Sequence, residues 1–317
     1  MNLKPPHTQS LTSRLYASEE DLRGMLDMLM EARARTNDWH YSHVGELLFN
    51  FFMVACHLSP HEHIRLWHAE AGKLVAYAIL GEDPSFDCQV LAGHEWSGIE
   101  VEAFAWVEMR LAELRQRDVK QWGGAIVSGS RQDDPRRIRF LEQHGFRYSG
   151  EFAEVNMLRS LSEPIPELTI PPGYRICTMA EVDDISERAA VQCEVWHPWT
   201  VGNVSAADYA RFMQLPTYHP DLDVVTLTPS GVIAAYVNGW IDPLNRIGDF
   251  GPVGARPAYR QQGLTRLALL EGLRRMRTYG MNRVCISTGI GNTPALGLYS
   301  SIGFKIVNRY LDYVQTV

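Results

Sequence analysis

Two stretches of this chain repeat one another 158 positions apart, and that spacing limits the folds open to it. DPRRIRFLEQHGFRYSGEF begins at Asp134 and NTPALGLYSSIGFKIVNRY at Asn292, with Phe146 aligned on Phe304. Upstream, GKLVAYAIL from Gly72 matches GVIAAYVNGW from Gly231 at an offset of 159, and ASEEDLRGML from Ala17 resembles TMAEVDDISE from Thr178. Three matches in the same order, at a period far longer than a solenoid repeat, mean a duplicated domain. Between the copies, LSEPIPELTIPPGY carries four prolines and reads as a stiff, extended linker. The expected organisation is a first domain at residues 1–160, a linker at 161–173 and a second domain at 174–317.

Local pattern gives the second copy a mixed α/β character. GYRICTM is a short alternating strand, and residues 180 to about 195 look helical. SAADYARFMQL is a helix capped by Ser205, and DVVTLTP and VIAAYVNGWID are strands joined by a Ser-Gly turn. RIGDFGPVGA is a third strand whose glycines suit a bulge. A long helix follows to about Tyr279, closed by Gly280; then come the strand RVCIST, the short helix TPALGLYSSI ended by Gly303, and the closing strands FKIVNRYLDYV. The order is an antiparallel meander followed by strand–helix–strand–helix–strand. The predicted fold class is therefore α/β with an α+β mixed sheet, each copy a mostly antiparallel central sheet flanked by helices.

Charge singles out the start of the long helix. The chain carries a net −7, yet residues 251–283 hold seven arginines against the lone carboxylate Glu271. A basic island in an acidic protein suits a localised anionic ligand and argues against nucleic acid as a partner. The island contains Arg260-Gln261-Gln262-Gly263-Leu264-Thr265-Arg266, a glycine turn into a helix. A helix start exposes unpaired amides and a partial positive charge, and glycine lets a ligand approach the backbone, so this is a phosphate cradle in kind. By itself such a turn is more often an ordinary loop. The five cysteines show no CxxC spacing and suit reduced thiols. There is no apolar signal-peptide core and no run of about 20 apolar residues, so a cytoplasmic location with no membrane partner is expected. His40 and His43 fall in a His-x-x-His pattern that reads as a helix surface, and no metal is expected.

These residues resemble the GNAT acetyltransferase superfamily. Its pyrophosphate loop, Gln/Arg-x-x-Gly-x-Gly/Ala after a strand and opening a helix, is matched by Arg260 to Thr265, with Thr265 in place of the small last residue. A second signature is matched by Asn292, Ala295, Leu296, Leu298, Tyr299, Gly303 and Phe304. The resemblance covers the second copy and, more faintly, the first, and the tandem arrangement is similar to acetyltransferases such as mycothiol synthase. It implies acetyl-CoA as donor and direct transfer to an amine of a small molecule or peptide in a ternary complex. The pyrophosphate is expected on Arg260, Gln261, Gln262, Gly263, Leu264, Thr265 and Arg266. The pantetheine arm is expected along Val253, Gly254 and Ala255, with Asn292 hydrogen-bonding nearby. Tyr299 matches the general acid. Asp249 is a candidate base, and a turn-bonding aspartate is an equal alternative. Glu194, Trp196, His197 and Trp199 are candidate acceptor contacts, with buried packing the alternative for the tryptophans.

The first copy departs from the pattern. Glu95 stands where Arg260 does, Glu100 where Thr265 does, Asp134 for Asn292 and Leu141 for Tyr299. Two carboxylates at a phosphate site repel it, so this copy is expected to support the other and not to catalyse. The rival expectation for the whole chain is a non-catalytic sensor of coenzyme A or a metabolite derived from an acetyltransferase. A monomer and a homodimer are both compatible with the sequence.

Overall fold

A computed structural model describes residues 11–36, 40–199 and 202–316, and within these not the side chains of 151–153. The first half runs β1 (Thr12–Leu15), α1 (Glu19–Thr36), α2 (Val44–Leu47), a π-helical segment (Leu48–Val54), α3 (Pro60–His63) and β2 (Ile64–His68). It continues with β3 (Leu74–Gly81), β4 (Ser85–Val90), α4 (Ile99–Arg117), α5 (Val119–Trp122), β5 (Ile126–Arg131), α6 (Pro135–Gln143) and β6 (Arg147–Ser160). The second half runs β7 (Arg175–Thr178), α7 (Ile185–Trp196), α8 (Ala206–Phe212), β8 (Asp223–Leu227), β9 (Ile233–Asp242) and β10 (Ile247–Ala255). It ends with α9 (Leu264–Thr278), β11 (Arg283–Thr288), α10 (Thr293–Ser301) and β12 (Lys305–Gln315).

Among the described residues these strands form a single sheet of twelve, ordered β1-β2-β3-β4-β5-β12-β6-β11-β10-β9-β8-β7. The order is a near-mirror about its centre, as two copies of one unit require. The β4–β5 and β10–β11 pairs are parallel and every other pair is antiparallel, so the α/β reading with a mostly antiparallel sheet holds. The two halves are joined by exchange. β6 pairs with β12 along most of its length and, from Val155 to Ser160, pairs with β11 along its other edge. β12 returns the exchange, its Tyr310 to Gln315 lying against β5. The closing strands expected at the C-terminus are thus one long strand that serves both halves.

Local chemistry explains the helices. In α9, Leu264, Leu267, Ala268, Leu273 and Met276 recur at helical spacing and are buried. Each leucine removed from water contributes about 1.5–3 kcal/mol. Ser205 and Asp208 form a capping box at α8. The helix expected from residue 180 starts at Ile185, because Asp184 caps it by accepting the Glu187 amide. Inside the second half, Arg188 of α7 donates to Asp223 of β8 (2.9 Å) and lies 3.8 Å from the Tyr236 ring. Asp223 also accepts the hydroxyls of Tyr209 and Tyr218. A buried ion pair survives only with such additional hydrogen bonds, and this one fixes α7 and α8 on the sheet.

The seam between the halves is packed at close range. Gly45 of α2 lies flat on the Trp240 ring; a Cβ built there would come within 2.4 Å of it. His43 is buried and caps α2, its Nδ1 accepting the Gly45 amide (3.1 Å). The His-x-x-His surface pattern is therefore corrected: His43 is an interior capping residue, because the chain bends there to enter α2. Asn245 Nδ2 donates to the Met30 carbonyl (2.9 Å). Replacing Gly45 by Ala should cost about 1–3 kcal/mol, the usual range for overpacking a full core. Gly291→Ala, where an added Cβ meets nothing within 4 Å, is the control. Urea denaturation of both variants checks this, and equal midpoints would mean that α2 does not rest on Trp240.

Candidate active site

The site is built where two parallel strands part. β10 and β11 stay in register from Ile247↔Arg283 to Phe250↔Ile286 and no further. At Gly251-Pro252 the register of β10 against β9 shifts, and β10 then runs on with β9 through Val253↔Val237, Gly254↔Tyr236 and Ala255↔Ala235. The expected bulge is present, because proline cannot donate to the ladder. Beyond Phe250, the β11-facing edge of β10 is left without a strand partner among the described residues. Such an edge offers unpaired amides and carbonyls to an extended ligand.

The turn before α9 lies at the end of this gap. Gln261 and Gly263 have positive φ (61° and 76°), Gly263 occupies the N-cap, and no side chain caps the helix. Leu267 donates to the Gly263 carbonyl, so the amides of Leu264, Thr265 and Arg266 precede the first helical bond. Gln261, Gln262 and Gly263 are exposed, and nothing lies within 4 Å of a Cβ built on Gly263. The residues present therefore fit a diphosphate: open amides, a helix dipole and space. Arg260 is exposed and donates to the Ala255 carbonyl (3.2 Å), and Gln262 donates to the Ala258 carbonyl (3.3 Å). Asn292 caps α10, accepting the Ala295 amide (3.3 Å) while Nδ2 donates to Thr288 Oγ1 (3.1 Å) at the end of β11.

Side chains on successive strand positions point to opposite faces, and this separates the two candidate proton carriers. Tyr299 is buried beside Phe304 on the α9 face, in the cluster that holds Phe250, Val284 and Ile286. Burial raises its pKa, and no charged group opposes the shift, so the phenol keeps its proton at neutral pH. Asp249 lies on the opposite face, in register with Trp240 and Cys285. It is buried, and the Cys285 thiol donates to its Oδ1 (3.3 Å). Burial first, then the negative field of Glu46, with a smaller share from Glu154, push the carboxyl up to about 8. A carboxyl poised near neutrality in a cleft suits proton abstraction.

First-half residues close this face, and none of them carries a local signal in the sequence. His43 Nδ1 lies 3.9 Å from Asp249 Oδ2, but that nitrogen already accepts the Gly45 amide, so its ring proton sits on Nε2, which faces the Ile247 carbonyl (3.4 Å). Burial holds His43 well below the usual histidine range, so the contact is between a carboxyl and a neutral ring. Ser287, two residues beyond Cys285, donates to Glu154 of β6 (3.1 Å). His43 meets the candidate base through tertiary contact, and Glu46 and Glu154 act on it through their charge, none of which local spacing encodes.

The candidate acceptor residues divide. Val195 packs on Gly254 so closely that a Cβ built there would lie 2.4 Å from Val195 Cγ1, which brings the end of α7 over the β10 edge. Trp196 donates to the Tyr236 hydroxyl (2.7 Å) and is half-buried, a packed residue. His197 is exposed, and Trp199 is 65% exposed. Glu194 is paired with Arg256 (2.5 Å), which also pairs with Glu187 (2.9 Å). This arginine is thereby held on carboxylates, and Glu194 has its cation.

The first half repeats the backbone of the turn and changes its filling. Trp96 and Gly98 have positive φ (58° and 112°) before α4, as Gln261 and Gly263 do before α9. Here, however, Glu100 folds back and accepts the Trp96 amide (2.7 Å). Its carboxylate occupies the amide that an anion would take, and Glu95 accepts the Tyr41 hydroxyl (2.8 Å).

Comparison with known proteins agrees with this architecture. Residues 190–304 match the model of the Acetyltransferase (GNAT) family. A mycothiol acetyltransferase of Nocardia farcinica (strain IFM 10152) is 30% identical over 180 residues, 54% of this chain and 58% of that protein. The chain thus spans less than two thirds of this relative. A GCN5-related N-acetyltransferase from Sphaerobacter thermophilus superposes with a TM-score of 0.64 over 96% of this chain and 95% of its own, at 20% identity. A tandem GNAT protein from the clavulanic acid biosynthesis pathway does so with a TM-score of 0.64 over 96% and 98%, at 15% identity. These two likenesses are of fold. Residues 190–304 thus match the GNAT acetyltransferase family, within a fold like that of tandem GNAT proteins.

Proposed function

We propose that the second half transfers an acetyl group from acetyl-CoA to an amine of a small molecule or peptide, by direct attack in a ternary complex. The observation that carries this reading is the uncapped start of α9 at the end of the β10–β11 gap, with a protonated phenol on one face of the sheet and a carboxyl poised near neutrality on the other. The substrate's diphosphate would lie on the amides from Gln261 to Arg266 and its extended arm along Val253, Gly254 and Ala255. The amides of that edge would stabilise charge developing on the thioester oxygen. Asp249 would take the proton of the attacking amine, and Tyr299 would give one to the departing thiolate. The first half would not catalyse; it would close the Asp249 face through His43 and Glu46. We infer a cytoplasmic location.

Tyr299→Phe should lower turnover by roughly 10²-fold or more, the scale of one general acid, with acetyl-CoA affinity nearly unchanged; an unaltered rate in a thiol-release assay removes the phenol from the acid role. Gly263→Glu should abolish acetyl-CoA binding in calorimetry, since it sets a charged side chain in the open turn at positive φ; retained affinity would put the diphosphate elsewhere.

Asp249 should govern the pH profile. A base must be ionised, so kcat/KM should rise with pH through about 8, and Asp249→Asn should lose that limb. The stability effect has the opposite sense. An unfolded aspartate ionises near pH 4, while the folded one holds its proton to about 8. The folded state thus binds more protons in that interval, and stability falls as pH rises across it. Asp249→Asn should therefore gain stability relative to the native chain between pH 5 and pH 9, read as the difference in urea midpoints. A variant that loses relative stability over that interval contradicts the raised carboxyl.

A further inference from the structure

The first half has a gap of its own. β4 and β5 pair at Ser85↔Val127 alone, and beside their parting lies a cavity of about 430 Å³, the size of a small-molecule site. It corresponds in the fold to the β10–β11 gap, but its chemistry differs. The turn that would hold a diphosphate is filled by the Glu100 carboxylate on the Trp96 amide. Among the described lining residues, carboxylates outnumber guanidiniums by five to two. Both guanidiniums are engaged, Arg131 with Asp133 (2.8 Å), and Arg137 with the Gly129 carbonyl (2.8 Å) and Ser128 Oγ (3.1 Å).

Two further observations point to a ligand. Tyr77 lines the cavity, is 0% exposed, and has a hydroxyl with no hydrogen-bond partner. A buried polar group left unsatisfied costs about 1–3 kcal/mol, a cost that a bound polar molecule would relieve. The Leu48–Val54 segment contributes Asn50, Phe51 and Val54 to the wall and is π-helical, a rare conformation that gathers at functional sites. The carboxylates nearest this hydroxyl in charge effect are Asp87 and Glu46. Asp87 accepts from Gln89 Nε2 (3.0 Å) and Glu46 from the His43 amide (3.0 Å); burial raises the Glu46 carboxyl, and the charge of Arg33 opposes that only in part.

We propose that this gap binds a small molecule bearing a protonated amine, with Asp87 and Glu46 facing the ammonium and the Tyr77 hydroxyl bonding a neighbouring polar group, and that it does not bind a second thioester carrier. The inference concerns binding alone, and of its residues Glu46 is shared with the Asp249 face.

Isothermal titration calorimetry of the full chain, without acetyl-CoA, tests it. The probes are spermidine and D-glucosamine, with D-glucose as the uncharged counterpart. At least one amine should bind about tenfold or more tightly than D-glucose, a difference of about 1.4 kcal/mol. Asp87→Asn should weaken that binding by about tenfold, the loss expected for a hydrogen bond to a charged group. Tyr77→Phe should weaken it while leaving the melting temperature equal or higher, since the variant deletes an unsatisfied hydroxyl. In both variants acetyl-CoA binding should be unchanged. The proposal is overturned if neither amine binds better than D-glucose, if both variants bind the amine as the native chain does, or if coenzyme A displaces it competitively.

Discussion

β6 and β12 are too long to belong to one half each, and most of the architecture depends on that. A strand of fourteen residues has backbone groups to satisfy along its whole length. β6 satisfies one edge against β12 and, from Val155 on, the other edge against β11, while β12 spans from β6 to β5. Two sheets that would otherwise end in exposed edges become one, and the arrangement resembles a domain-swapped dimer within a single chain. The exchange fixes the halves side by side, so that α2 of the first lands on β9 and β10 of the second. The environment of Asp249 follows: a carboxyl on an open sheet face would be solvated, whereas under His43 and Glu46 it is pushed toward neutrality.

Duplication also supplies an internal control. The same pair of positive-φ residues precedes the long helix in both halves, so backbone shape alone does not make an anion site. What differs is a few side chains. The second half leaves its first-turn amides uncovered, whereas the first turns Glu100 onto the equivalent turn. The gap behind the first-half turn follows suit, opening into a carboxylate-lined cavity. Tyr299 and Leu141 complete the contrast: both are buried at matching points of matching helices, and of the two only the phenol carries a proton to give.

Much of this was legible in the sequence because its signals are local. Ser205, Gly263, Gly280 and Gly303 mark helix ends through capping and φ, and α9 reveals itself by leucine spacing. The repeat at Phe146 and Phe304 exposed the duplication. The exchange of β6 and β12 was not legible, since strand partners are set by long-range register and not by alternation. For the same reason FKIVNRYLDYV read as more than one strand. His43 looked like a surface histidine because it is buried in the interior, its Nε2 facing the Ile247 carbonyl 204 residues further along the chain. Glu194 looked available to a cationic ligand because its partner, Arg256, lies 62 residues further along the chain. Sequence alone therefore reached the residues that shape backbone and missed those that set charge at the seam.

The central claim is that the uncovered amides at the start of α9 hold the diphosphate of a thioester carrier, which then threads the β10–β11 gap toward Asp249 and Tyr299. A crystal structure of the chain with acetyl-CoA tests this most directly. The account predicts the pyrophosphate on the Gln261–Arg266 amides and the arm along Val253 to Ala255. Density for the carrier in the β4–β5 gap of the first half, or away from the α9 turn, would contradict it.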